Sequence, residues 1–223
     1  MWVKVCGLRD RETVDAAVGA GADAVGFVFA PGSVRTVPAV DAAPLVAHAR
    51  ERGVLTVGVF RNQPLAEVVA LAELSGVAVV QLHGAEPAAD HRELRERGWP
   101  TIRAMAARDY APEREVAPHP ADHLLLDAPE PGAGRLFDGG GLVERPPSRD
   151  WVLAGGLTPG NVAERIRTLR PWGVDVSSGV ESSPGVKSVT LVREFVHAAQ
   201  QGETEAPLFS TEAPLFSGES PRR

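Results

Sequence analysis

Two residues stand out for their chemistry and their position. Cys6 closes the apolar run Val3–Cys6, and Asp127 closes the run His123–Asp127. A thiol can act as a base or nucleophile once ionised, which requires local positive potential. Without it, a cysteine at the end of a core strand is an inert small hydrophobe. A carboxyl following Leu124-Leu125-Leu126 either caps a turn or hands over a proton as a partly desolvated acid.

A second group of residues suits an anion. Gly155-Gly156 follows the run Trp151–Ala154, and Ser177-Ser178-Gly179 follows Gly173–Val176. Glycines let the backbone approach a ligand closely, and exposed N–H groups at a helix start attract negative charge. Alone, either segment could be no more than a tight turn. Together, they make Gly155, Gly156, Ser178 and Gly179 a candidate phosphate cradle. Arg35, after Ser33-Val34, either grips a carboxylate in a forked pair or is a solvated loop charge. Asp175, and Gln81 with His83 at the end of the fourth apolar run, complete the candidate binding set. An acid, a base and a phosphate cradle at one opening suit proton transfers on a sugar phosphate.

These residues need a scaffold that gathers strand ends. Apolar runs recur at Val3–Cys6, Ala24–Phe29, Leu55–Phe60, Val77–Leu82, Thr101–Ala104, His123–Asp127, Trp151–Ala154 and Gly173–Val176. They are near-continuous rather than alternating, as in parallel strands covered on both faces. Helical spacing lies between them: Leu65, Val68, Val69, Ala72; Val162, Ile166, Leu169; and Val189, Val192, Val196, Ala199. Arg11 to Ala20 reads as a helix stopped by Gly21, and Thr158-Pro159 as a helix N-cap with proline at the first position. The stretch from Ala107 to Ala121 is rich in proline, so its helix is expected to be short or irregular. Eight strand–helix units of about 25 residues fill Val3 to Gln200. The expected fold is therefore an α/β class (β/α)8 TIM barrel, one catalytic domain over residues 1–200. A doubly wound open sheet fits less well, since no G-x-G-x-x-G follows the first strand.

Composition narrows the partners. The 223 residues carry 23 Lys+Arg against 29 Asp+Glu, a net charge of −6. That speaks against a nucleic-acid binder. One cysteine rules out a disulfide scaffold. No apolar stretch reaches membrane-spanning length and no signal peptide opens the chain, so no membrane partner and a cytoplasmic setting are expected. There is no zinc spacing, P-loop or nucleophile elbow, so no metal site is expected. Residues 201–223 hold a duplicated Thr-Glu-Ala-Pro-Leu-Phe-Ser segment. They are expected to form a flexible, disordered tail, or a docking contact through Leu208/Phe209 and Leu215/Phe216.

In these same residues the chain resembles the phosphoribosylanthranilate isomerase family. The likeness runs through Lys4-Val5-Cys6-Gly7, Gly26-Phe27-Val28-Phe29, Ser33-Val34-Arg35, Gln81-Leu82-His83-Gly84, Leu125-Leu126-Asp127, Leu153-Ala154-Gly155-Gly156 and Asp175-Val176-Ser177-Ser178-Gly179-Val180-Glu181. It extends in order to about Gln200. The resemblance implies an aldose–ketose isomerase of tryptophan biosynthesis that needs no cofactor or metal, acting on a small phosphorylated substrate as a monomer or homodimer. It implies an Amadori rearrangement with Asp127 as general acid and Cys6 as general base, Arg35 on a substrate carboxylate, and the two loops on its phosphate.

Three features depart from the family pattern. The sixth loop, Pro131-Gly132-Ala133-Gly134-Arg135-Leu136-Phe137-Asp138-Gly139, lacks a glycine, a hydroxyl and a tryptophan that the family usually carries there. Such a loop covers the site, so closure and substrate range could differ. Ser188 replaces a usual Asp, and either residue can cap a helix. The duplicated tail lies beyond the likeness. Three other functions compete with this one. A histidine-pathway aminoaldose isomerase would place a carboxylate in the first strand, where Cys6 stands. A ring-closing lyase would need a lysine in an early loop, yet lysine occurs only at Lys4 and Lys187. A non-catalytic sugar-phosphate binder would fit the altered loop and the tail.

Overall fold

The computed structural model describes residues 1–110, 121–127, 142 and 146–204. Eight parallel strands form a closed barrel in chain order. They are β1 (Trp2–Cys6), β2 (Ala24–Val28), β3 (Leu55–Phe60), β4 (Val79–Leu82), β5 (Thr101–Ala106), β6 (His123–Asp127), β7 (Trp151–Ala154) and β8 (Gly173–Val176). Closure joins β8 to β1, with Lys4 opposite Asp175. Six helices are described: α1 (Arg11–Ala20), α2 (Ala39–Glu51), α3 (Leu65–Ser75), α4 (Ala88–Glu96), α5 (Val162–Leu169) and α6 (Val189–Thr204).

Two separate apolar layers explain the continuous runs in the sequence. Inside the barrel pack Ala24, Val28, Val57, Val59, Val79, Ile102, Leu125 and Val152, with Cys6 at their upper edge. Outside, Val3, Val5, Phe27, Leu124, Leu126 and Val174 meet the helices through Val14, Val46, Val68, Ile166 and Val192. Successive strand residues point to opposite faces, so each strand supplies both layers. Each fully buried branched side chain contributes roughly 1.5–3 kcal/mol relative to exposure.

The helix stripes face this outer layer as their spacing predicts. Val68, Val69 and Ala72 are buried, as are Val162, Ile166 and Leu169, and Val192, Val196 and Ala199. Asp10 caps α1 by accepting from the Thr13 N–H at 2.8 Å, and Gly21 ends it in the left-handed region at φ 89°. The predicted helix start at Thr158 is corrected. Residues 158–161 form a turn, and α5 begins at Val162. The side chain that closes this turn belongs to Asn161, whose Oδ1 accepts from the Thr158 N–H at 2.8 Å and whose Nδ2 donates to the Gly156 carbonyl at 3.0 Å. The last helix continues past residue 200 to Thr204, with Gly202 buried against Ala163 of α5. The repeats after Thr204, the altered sixth loop and most of the proline-rich stretch lie outside the described residues.

Unforeseen in the sequence is a two-stranded hairpin between β8 and α6. It pairs β9 (Glu181–Ser183) with β10 (Val186–Lys187), following a single 3-10 turn over Ser178–Val180.

Candidate active site

The C-terminal strand ends surround a cavity of about 320 Å³. All ten residues singled out from the sequence line it: Cys6, Arg35, Gln81, His83, Asp127, Gly155, Gly156, Asp175, Ser178 and Gly179. Arg61 and Ser177 join them.

The phosphate-type rim is built from two interlocked loops. Gly155 and Gly156 take φ values of 82° and 64°, which a residue with a Cβ adopts only at a cost. Gly179 sits so close to Leu157 that a Cβ there would overlap the Leu157 carbonyl. The loop after β7 therefore packs directly on the turn after β8. Among the described residues, the N–H groups of Gly156, Ser178 and Gly179 have no protein acceptor.

The wall made by β1 and β8 is dry and charged. Lys4 is fully buried, and its Nζ lies 2.9 Å from Asp175 Oδ2. Among the described residues, Asp175 Oδ1 is buried without a partner. Burial works against the Lys4 charge, but Asp175 and Cys6 outweigh it and hold the ammonium above its ordinary value. Burial pushes the Cys6 thiol up, and the Lys4 charge opposes that rise. The Cys6 carbonyl accepts from Ser177 Oγ at 3.3 Å.

The opposite wall, from β4 and β6, is wetter. The Asp127 and His83 side chains are each about one-third exposed, with His83 Nε2 3.2 Å from Asp127 Oδ2. Gln81 Nε2 lies 3.1 Å from His83 Nδ1. In this amide orientation Nδ1 accepts, so Nε2 carries the proton aimed at Asp127. Among the described residues, Gln81 Oε1 is buried and has no partner. Both nitrogens of His83, expected to meet substrate, thus face protein groups.

Arg35 is held as a fork on a protein carboxylate. Its Nε and Nη2 donate to Glu181 at 2.7 and 2.8 Å. Lys187 Nζ donates to the same Glu181 Oε1 as Arg35 Nε, at 2.7 Å, and also to the Ser177 carbonyl at 2.9 Å. Burial alone would raise the Glu181 carboxyl, but Arg35 and Lys187 bring it down to about 2. Ser33 Oγ accepts from the Arg35 N–H at 3.1 Å, fixing the loop. Sequence reasoning gave no role to Lys4, Arg61, Glu181 or Lys187. A detectable signal existed for Lys4, a charge two residues before Cys6 and hence on the same face of β1.

The description "N-(5'phosphoribosyl)anthranilate (PRA) isomerase" belongs to a family model that matches residues 3–198. The chain belongs to the PRA isomerase family. The PRA isomerase of Rubrobacter xylanophilus is 45% identical over 203 residues, covering 89% of this chain and 98% of that one. The crystal structure of TrpF from Jonesia denitrificans shares 43% identity with a TM-score of 0.81, covering 91% of this chain and 98% of that chain. A third relative is a PRA isomerase crystallised with reduced 1-(o-carboxyphenylamino)-1-deoxyribulose 5-phosphate. It is 35% identical with a TM-score of 0.74, covering 90% of this chain and 98% of that chain. The chain is thus an enzyme, an aldose–ketose isomerase of the PRA isomerase family in tryptophan biosynthesis. No helix among the described residues is long and apolar enough to cross a membrane.

Proposed function

We propose that Asp127 and Cys6 carry out the Amadori rearrangement of N-(5-phosphoribosyl)anthranilate to 1-(2-carboxyphenylamino)-1-deoxyribulose 5-phosphate. The observation that carries this reading is that the carboxyl and the thiol line one cavity with the double-loop rim. Asp127 protonates the ribose ring oxygen, and the C1–O bond opens to a protonated Schiff base. Cys6 takes the C2 proton, giving an enolamine that tautomerises to the ketone. A positioned acid or base contributes typically 10²- to 10⁴-fold each. The N–H groups of Gly156, Ser178 and Gly179 receive the phosphate. Asp175 Oδ1 and Gln81 Oε1, buried acceptors without partners among the described residues, receive sugar hydroxyls. Arg35 offers the substrate carboxylate the remaining Nη1 edge of its fork.

The alternative with two carboxylates has no counterpart on β1, where the inward positions hold Lys4 and Cys6. We take the barrel to be one catalytic unit working in the cytoplasm, where its lone thiol stays reduced. It acts as a monomer or homodimer, which sedimentation will distinguish. Turnover is followed through the loss of anthranilate fluorescence. Cys6→Ala and Asp127→Asn should each reduce kcat about 10³-fold. Near-normal kcat in both would reject the assigned roles.

A further inference from the structure

A buried thiol that must serve as a base needs a nearby cation to hold its charge. The charged groups around Cys6 are Lys4 on β1, Asp175 on β8, Lys187 on β10 and Arg35 after β2, with His83 and Asp127 across the cavity. Arg35 and Lys187 both spend their charge on Glu181. Lys4 differs from them. It is wholly buried, meets a single oxygen of Asp175, and shares the inward face of β1 with Cys6. Gly26, opposite Cys6 in the β1–β2 register, makes room for both side chains. A Cβ at Gly26 would lie 2.9 Å from Cys6 Sγ and 3.1 Å from Lys4 Cε, so sulfur and methylene are within about 6 Å of each other.

We propose that Lys4 is a positioning residue of the isomerase: its ammonium, anchored by Asp175 across the β1–β8 seam, opposes the effect of burial on Cys6 and favours the thiolate form that abstracts the proton. This rests on the reading of Cys6 as the base. The Lys4 charge acts on the thiol more strongly than the opposing charge of Asp175 does. At that separation in a protein interior, a unit charge changes the thiolate fraction on the order of tenfold or more.

The chain holds one cysteine, so the pH dependence of alkylation by iodoacetamide reports Cys6 alone and needs no turnover. Lys4→Met, close in volume, should move the alkylation midpoint up by about one pH unit or more. Asp175→Asn, which leaves the Lys4 charge facing the sulfur unopposed, should move it down. The acid limb of the kcat/KM profile should follow each shift. Midpoints that stay put, or move the same way in both variants, overturn the proposal. A merely structural role does not produce opposite signs. Circular dichroism checks folding, and if Lys4→Met does not fold, the direction of the Asp175→Asn shift decides. Because alkylation is independent of substrate, loss of this proposal is distinguishable from loss of the isomerase reading.

Discussion

The two walls of the cavity solve opposite problems. On the β1–β8 wall, Cys6 is 7% exposed and lies beside a fully buried lysine. On the β4–β6 wall, Asp127 is about one-third exposed and leans on a histidine. A base that takes a proton from carbon benefits from a dry site, where fixed charges act with little screening. An acid that protonates a ring oxygen must reload afterwards, and contact with solvent serves that. The same barrel provides both environments because strands on opposite sides of its closed sheet furnish the two walls.

Beyond replacing Cys6 or Asp127 themselves, disturbing the dry wall gives the largest expected effect. In Gly26→Ala the new methyl meets Cys6 Sγ at 2.9 Å and Cys6 Cα at 3.2 Å, so the thiol must shift. Overpacking of this kind costs about 1–3 kcal/mol of stability, and misplacing the thiol reduces kcat on the order of 100-fold. Urea melts and steady-state kinetics measure the two effects. An unchanged kcat would mean that the depth of the thiol is not critical. On the wet wall, His83→Asn removes the Asp127 partner but leaves solvent access. We expect kcat to fall about 10-fold with KM nearly constant. A drop as large as that of Asp127→Asn would make the walls equivalent.

The smallest effect tests the bridge between loops. Glu181 titrates at about 2 when folded, against 4.5 ordinarily. A depressed carboxyl stabilises the fold above its unfolded value, and that contribution is lost as pH falls from about 4.5 to about 2. The wild-type urea midpoint should therefore drop between about pH 5 and about pH 2, and Glu181→Gln should flatten that part of the fall. The variant should also raise KM severalfold, because Arg35 loses its anchor.

The legible parts of the molecule are those set by local pattern. Parallel strands covered on both faces must be apolar throughout, so runs such as Leu55–Phe60, His123–Asp127 and Gly173–Val176 read directly as β3, β6 and β8. Cys6, Asp127 and the paired glycines were visible because polar residues at the ends of such runs meet at a barrel mouth. Pairings between distant segments were not visible. Lys4 and Asp175 are 171 residues apart, and only barrel closure makes them neighbours. Arg35 and Glu181 are 146 apart, joined through a hairpin too short to show alternation. Thr158-Pro159 carries the usual capping residues and so predicts too early a start for α5, whereas Asn161 ties the turn to the Gly156 carbonyl.

The Lys4–Asp175 contact has a consequence for how this chain matures. It bridges the first and last strands, so a growing polypeptide holds its sulfur and half its pocket long before the carboxylate that anchors the lysine has been synthesised. A fragment ending ahead of the eighth strand would leave an ammonium stranded in the incomplete interior. The charge that readies the base thus arrives only when the ring is sealed, which ties chemical competence to completion of the fold.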